Sequence, residues 1–238
     1  ISRSVCCPPC RASGHTAATL HSGTHSAISI AAQARPGGAV LGLDANLEML
    51  AVARRKHADI EWHDCRAESL PFADASFDAV VSQFGLMFFD DRIAALREMQ
   101  RVLRPGGRLA VAVCDALERS PGYASLAALL ERLFGKRVAD AFRAPFVLGD
   151  AAALRALCAD AGIVEASVVR RQETVRFASI DALVSTERAC VWTLGGLLDD
   201  AQFERLRREV QSTFLPFVDA SGMVAFAMPA LLITAAKR

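Results

Sequence analysis

The chain has 238 residues, 53% apolar and 22% charged, with mean hydropathy +0.27, which is too apolar for disorder and sufficient for one large domain or one domain with an appendage. Twenty-seven Lys and Arg against 26 Asp and Glu leave a net charge of +1, so no global field gathers nucleic acid or an acidic membrane. The longest apolar run, 223–236, is broken by Pro229 and Thr234 and is shorter than the ~20 residues a membrane helix needs, so no membrane span is expected.

Residues 1–35 read differently from the rest. They hold Cys6, Cys7, Cys10, an adjacent Pro pair and His15, His21 and His25, with few large apolar residues. The chain starts at Ile1, and this segment is expected to be disordered, degenerate or not native in sequence. Cys7, Cys10, His21 and His25 approach a small zinc-finger spacing, but the linker is short and the apolar residues such a finger packs around are missing, so no metal is expected. The crowded cysteines likewise do not decide for an arsenite-type thiol site. Seven cysteines without a framework spacing, and no basic region followed by an apolar stretch at the start, point to a reducing cytoplasm.

After Pro36, short apolar runs alternate with helical patterns. A strand at 39–44 precedes a helix at 46–57 capped by Asn46, then a strand at 60–63. A strand at 77–84, a helix at 91–103, a turn RPGG at 104–107 and a strand at 108–113 follow. This alternation predicts an α/β fold, a doubly wound and mostly parallel sheet joined by right-handed crossovers. Beyond Cys114 the chain turns helix-rich, at 122–134, 136–142 and 150–161, with a strand at 163–171, two further helices within 179–215, and one closing strand at 223–236 reached through DASG.

Asp44 ends an apolar strand. Open parallel sheets bind ligands at the carboxyl ends of their strands, where an acid accepts hydrogen bonds from both ribose hydroxyls, although such a residue also serves simply to cap the next helix. A nucleoside site needs a glycine turn ~20 residues earlier, and Gly23, in HSGTH, is the single glycine at that distance. TAATL, just before it, makes a poor buried strand. Arg66, Ala67 and Glu68 are candidates to line an adenine, and Ser82, Gln83 and Phe84 stand at a second strand end.

Three segments, VLGLDANLEMLAVAR (40–54), RAESLPFADASFDAVVS (66–82) and EMQRVLRPGGRLAVAV (98–113), resemble in order and spacing the class I S-adenosylmethionine-dependent methyltransferases, in the group of ubiquinone/menaquinone C-methyltransferases. The resemblance covers about residues 31–114, and VAFAMPALLITAAK (224–237) is similar to that family's antiparallel last strand. It implies a Rossmann-like fold, S-adenosylmethionine as cofactor and methyl transfer to an apolar small-molecule acceptor. It further implies that Asp44 holds the ribose, with Gly23, Ala45, Met49, Arg66, Ala67, Gln83 and Phe84 also lining the cofactor. The family's Gly-x-Gly-x-Gly is reduced to Gly23, and Cys65-Arg66-Ala67 stands where the family has Gly-Asp-Ala. The alternative is therefore a non-catalytic relative with impaired cofactor binding. Alignment and exclusion of water suffice for this reaction, so no catalytic residue is singled out. Phe134, Phe142, Phe146, Trp192 and Phe214 give the helices at 115–143 and 179–215 the apolar character of a cap over the acceptor, or of an ordinary core.

Overall fold

A computed structural model describes the backbone of residues 16–21 and the whole of residues 39–190 and 193–238. Cys6, Cys7, Cys10, Gly23, His25 and Trp192 lie outside the described residues. The chain divides into two compact units. One gathers the described residues up to Val113 with Ala151–Val169 and Leu232–Arg238; the other holds Cys114–Asp150 and Arg170–Leu231.

The first unit is built on a seven-stranded sheet. Its strands are β1 (Thr16–His21), β2 (Ala39–Asp44), β3 (Glu61–Asp64), β4 (Phe77–Gln83), β5 (Leu103–Cys114), β6 (Ser167–Arg171) and, later in the chain, β9 (Ala230–Ala236), in the order β3-β2-β1-β4-β5-β9-β6. Strands β3 through β5 are parallel neighbours. Reciprocal bonds from Gly106 N–H to Lys237 C=O and from Lys237 N–H to Gly107 C=O mark the antiparallel end of β9 against β5. The doubly wound expectation holds. TAATL, which has little apolar bulk, nevertheless forms the strand between β2 and β4, because a central position is fixed by the two ladders it completes.

Helices follow from local chemistry. In α1 (Leu47–Lys56) the Asn46 side chain accepts from the Glu48 and Met49 amides, satisfying two of the helix's open donors. In α2 (Arg92–Val102) Asp91 does the same for Ala94. Leu50 of α1 is buried beside Trp62, with Ala53 and Ile60 packed against the pair. Gly42 on β2 lies opposite Trp62 on β3, and a Cβ there would stand 2.3 Å from the indole ring. α5 (Ala151–Asp160) is tied to α2 by Arg97 donating to the Asp160 carbonyl at 2.9 Å.

The second unit contains α3 (Pro121–Phe134), α4 (Lys136–Arg143), α6 (Ile180–Ala189) and α7 (Asp200–Phe214), together with a two-stranded antiparallel ribbon of β7 (Thr174–Phe177) and β8 (Val224–Ala227). Leu126, Leu130, Phe142, Leu183, Leu206 and Phe214 are among its buried core. Asp115 is 1% exposed; its carboxylate accepts from Arg170 and from the Ala116 amide, while its own N–H donates to the Pro229 carbonyl at 3.2 Å. That carboxylate is spent on structure.

Three boundaries differ from the sequence reading. RPGG is part of β5 rather than a free turn, since Gly106, at φ +77°, and Gly107 join the ladder with β9. The strand at 163–171 starts only at Ser167, the preceding residues forming a turn after Gly162 at φ +88°. The apolar closing segment is two strands, β8 and β9, not one. Pro229 has no N–H to donate, and Met228 N–H is turned to the Glu173 carbonyl.

Gly42→Ala pushes a methyl group into the Trp62 ring. The expected loss is about 1–3 kcal/mol of unfolding free energy, read from denaturant melts, with the fold retained.

Candidate functional site

Register brings the strand ends of the first unit to one level. Asp44 is opposite Asp64 across β2 and β3, while Leu20 of β1 is opposite Leu43 of β2 on one side and Ser82 of β4 on the other. Asp44, the last residue of β1 and Gln83 therefore end side by side. This is also the point where the strand order reverses, since β1 leads outward to β2 while β4 lies on its other flank. The crevice outside such carboxyl ends is where open α/β sheets hold ligands.

Asp44 is 8% exposed. Burial pushes its carboxyl up to about 6, with the Asn46 and Ala45 amides pulling it back and the charge of Asp64 adding to the rise. The Asn46 N–H donates to Asp44 Oδ1 at 2.8 Å. The helix cap is Asn46 itself, so capping does not account for a carboxylate at Asp44. Cys65, next along from Asp64, has its thiol pushed up to about 12 by burial and then by the two nearby acids, so it stays protonated near neutral pH.

The β4 end carries two departures from ordinary structure. Ser82 is 1% exposed and its Oγ is buried without a hydrogen-bond partner. Leaving a buried hydroxyl unmatched costs about 1–3 kcal/mol. Phe84, one residue past Gln83, has φ +54°, with its N–H held by the Ala112 carbonyl at 2.9 Å. A bulky aromatic in the left-handed region costs on the order of 1–3 kcal/mol, and such strain clusters where a backbone is shaped for a ligand.

Arg66 does not point alone into this region. Its guanidinium pairs with Asp90 at 2.5 Å and Glu68 at 3.3 Å, and Glu68 accepts from the Asp90 amide at 3.0 Å. The loop after β3 is thus tied to the loop after β4. Ala67 is buried, Ala45 lies on the β2–α1 connection and Met49 in the first turn of α1. A second tie escaped the sequence reading. Arg101 of α2 donates to the Phe72 carbonyl at 2.7 Å and the Leu70 carbonyl at 3.0 Å, while Glu98 binds Arg101 at 2.6 Å and accepts from the Leu70 amide at 2.8 Å. Arg101, first of all, holds the Glu98 carboxyl below its usual range. The i,i+3 spacing of Glu98 and Arg101 was visible, but their target, a backbone some thirty residues upstream, was not.

Among the described residues no group of three or more His, Cys, Asp or Glu is arranged to hold a metal ion. None of the described helices is long and apolar enough to cross a membrane.

Residues 20–111 match a family described as a methyltransferase domain. Demethylmenaquinone methyltransferase of Chlorobaculum parvum is 49% identical over 72 residues, 30% of this chain and 30% of its own. The ubiquinone/menaquinone biosynthesis C-methyltransferase of Hahella chejuensis is 51% identical over 82 residues, 32% of this chain and 33% of its own. The demethylmenaquinone methyltransferase of Thermus thermophilus is 38% identical over 123 residues, 50% and 54%. The chain thus spans between about a third and about half the length of these curated relatives. Among solved structures, the YcgJ protein of Bacillus subtilis superposes with TM-score 0.59 at 20% identity, covering 94% of this chain and 92% of that one. A Haemonchus contortus phosphoethanolamine N-methyltransferase in complex with S-adenosyl-L-methionine gives TM-score 0.56 at 18% identity, covering 94% and 49%. These two likenesses establish the fold. The non-catalytic alternative finds no support in relatives that are named as enzymes.

The raised carboxyl at Asp44 has a measurable sign. Its proton is held more tightly in the folded state, so stability falls as pH rises from about 4, the unfolded value, through about 6, and stays lower above it. Asp44→Asn keeps an acceptor for the Asn46 amide and removes the buried charge. Its melting temperature is expected to be level across that window and to exceed that of the unaltered chain at pH 8.

Proposed function

Because residues 20–111 match a methyltransferase domain and the relatives named above are quinone C-methyltransferases, we propose that the chain is a class I S-adenosylmethionine-dependent methyltransferase of the ubiquinone/menaquinone group, that it binds S-adenosylmethionine at the row of strand ends and that it methylates a ring carbon of a small hydroquinone. S-adenosylmethionine, when bound, supplies an electrophilic methyl group on a sulfonium. The observation that carries the assignment is Asp44, a carboxylate at the switch point of the sheet whose capping duty has passed to Asn46.

Each residue then has a task in this reading. Asp44 accepts hydrogen bonds from the ribose hydroxyls, with the Asn46 amide fixing Oδ1 so that the carboxylate cannot turn away. Ala45, Met49, Arg66 and Ala67 border the adenosine. Arg66 contributes the edge of its aliphatic stem, since its guanidinium is engaged by Asp90 and Glu68. Gly23, outside the described residues, is the candidate for the methionine portion. Gln83 and Phe84 face the reacting end, and the unmatched Ser82 hydroxyl offers a donor and an acceptor there. What fits an adenosyl group is this pairing of a buried acid with an unsatisfied hydroxyl on either side of β1.

Methyl transfer is an in-line displacement in which holding the reactants at near-attack distance supplies ~7–11 kcal/mol of the barrier. The loops tied by Arg66, Glu68, Glu98 and Arg101 serve that purpose by holding the crevice walls in place. The quinol acceptor rests on the names of the relatives. A reducing cytoplasm agrees with the free thiols of Cys65, Cys114, Cys158 and Cys190.

Calorimetry with S-adenosylhomocysteine tests the cofactor assignment. Micromolar binding is expected in the unaltered chain, a loss of at least a hundredfold in Asp44→Ala, and less than tenfold in Arg66→Ala. Absence of binding by the unaltered chain at millimolar ligand contradicts it. Transfer of labelled methyl from S-adenosylmethionine to a reduced, short-chain demethylmenaquinone, with no transfer to the oxidised quinone, tests the acceptor class.

A further inference from the structure

Of the acids at the strand ends, Asp64 is the one that the fold itself leaves without a task. It ends β3, is exposed, and is the register partner of Asp44 across two parallel strands, so the two side chains leave the same face of the sheet. The carboxylates are near enough that the charge of Asp64 opposes ionisation of Asp44, and both acids help to keep the Cys65 thiol protonated. Among the described residues Asp64 accepts no hydrogen bond and joins no ion pair, while Asp44 takes the amides that follow it.

The basic side chains closest along the chain are directed elsewhere. On β3, His63 Nε2 lies 3.1 Å from Glu61. On α1, Arg54 donates to the Trp62 carbonyl at 3.2 Å, and in the loop after β3, Arg66 is held by Asp90 and Glu68. Like charges opposite one another on neighbouring strands destabilise a sheet. A neutral side chain at position 64 would relieve Asp44 and, among the described residues, give up no hydrogen bond. The crevice beside this pair is marked independently, by the unmatched hydroxyl of Ser82 and the left-handed backbone of Phe84 at the end of β4.

The two adenosyl ligands of a methyl transfer differ chiefly in charge. S-adenosylmethionine carries a sulfonium and is a net cation. When the methyl group departs, the electron pair of its bond stays on sulfur, and S-adenosylhomocysteine is left with a neutral thioether. Adenine, ribose and the amino-acid end are common to both, and a single methylene separates the sulfur from the ribose ring.

We propose that Asp64, alongside Asp44, gives the cofactor site a preference for the cationic methyl donor over its uncharged product. This rests on the methyltransferase reading above. Asp64 acts through the field of the crevice and requires no contact with the sulfur. Once the methyl group has gone, that attraction is lost and the product is held by the shared contacts alone, so the next donor displaces it more readily. Asp64 is in this sense a specificity-determining residue, and Asp44 keeps its separate part in holding the ribose.

The test measures dissociation constants near pH 7 for S-adenosylmethionine, S-adenosylhomocysteine and sinefungin, an analogue with an ammonium in place of the sulfonium. Asp64→Asn is expected to weaken both cationic ligands by about three- to tenfold while S-adenosylhomocysteine stays within about twofold. Asp64→Glu, which restores the charge, is expected to keep the preference of the unaltered chain. In the unaltered chain, raising salt from about 20 mM to about 500 mM should weaken the cationic ligands more than the neutral one. In turnover, S-adenosylhomocysteine should inhibit Asp64→Asn more strongly, relative to KM for the donor, than it inhibits the unaltered chain. Equal losses for cationic and neutral ligands in Asp64→Asn, or no change for either, overturn the inference, as does an equal salt dependence of the two classes in the unaltered chain. Failure of the unaltered chain to bind any of the three ligands is a different result: it overturns the cofactor assignment and this preference with it.

Discussion

The functional reading depends on a carboxylate kept where the sheet changes direction. Asp44 could lie at the end of β2 for no better reason than to start α1, and the division of labour with Asn46 removes that explanation. The cap is made by the amide side chain two residues on, which itself donates its backbone N–H to Asp44. What remains is an acid, nearly buried and beside a second acid at Asp64, whose charged form the fold disfavours. Stability alone would replace it. In the proposed reading a pair of sugar hydroxyls, each donating to the charged form, supplies the missing compensation.

The same logic applies to the other irregularities at that level of the sheet. Ser82 keeps a hydroxyl buried with nothing to bond, and Phe84 takes a backbone conformation that suits glycine. Each local rule is broken within three residues, at the end of one strand. Elsewhere in the first unit Ala75 also takes a positive φ and Arg92 Nε also lacks a hydrogen-bond partner, while Asn46 and Asp91 cap their helices, Leu50 and Trp62 pack over Gly42, and Arg101 fastens the loop before β4. What sets Ser82 and Phe84 apart is that the two departures fall together at the carboxyl end of a central strand, beside Asp44, where open α/β sheets hold ligands.

Much of the first unit was legible because its signals are local. Asn46 and Asp91 announce helix starts by residue type, apolar runs give β2 and β4, and the glycines and proline of RPGG mark the end of α2. Periodicity does not say with which neighbour a strand pairs. TAATL lacked the bulk expected of a central strand, yet β2 and β4 flank it on both sides, and only the ladders reveal that. The closing segment 223–236 looked continuous because hydropathy ignores the missing amide of Pro229, which divides β8 from β9. Among site residues, Asp44 was identifiable from its place after an apolar run. Arg66 was given to the adenine without its guanidinium's engagement by Asp90, a contact across 24 residues that no spacing rule contains.

The central claim, that Asp44 grips the sugar of an adenosyl ligand, is tested most directly by a double-mutant cycle in which one mutation is made on the ligand. Dissociation constants of S-adenosylhomocysteine and its 2′,3′-dideoxy analogue are measured at pH 8 with the unaltered chain and with Asp44→Asn. If carboxylate and hydroxyls meet, removing either weakens binding and removing the second costs little more, giving a coupling of roughly 1.5–3 kcal/mol for hydrogen bonds to a charged group. Equal losses on the dideoxy change in both proteins, with no coupling between the two sites, contradict the account.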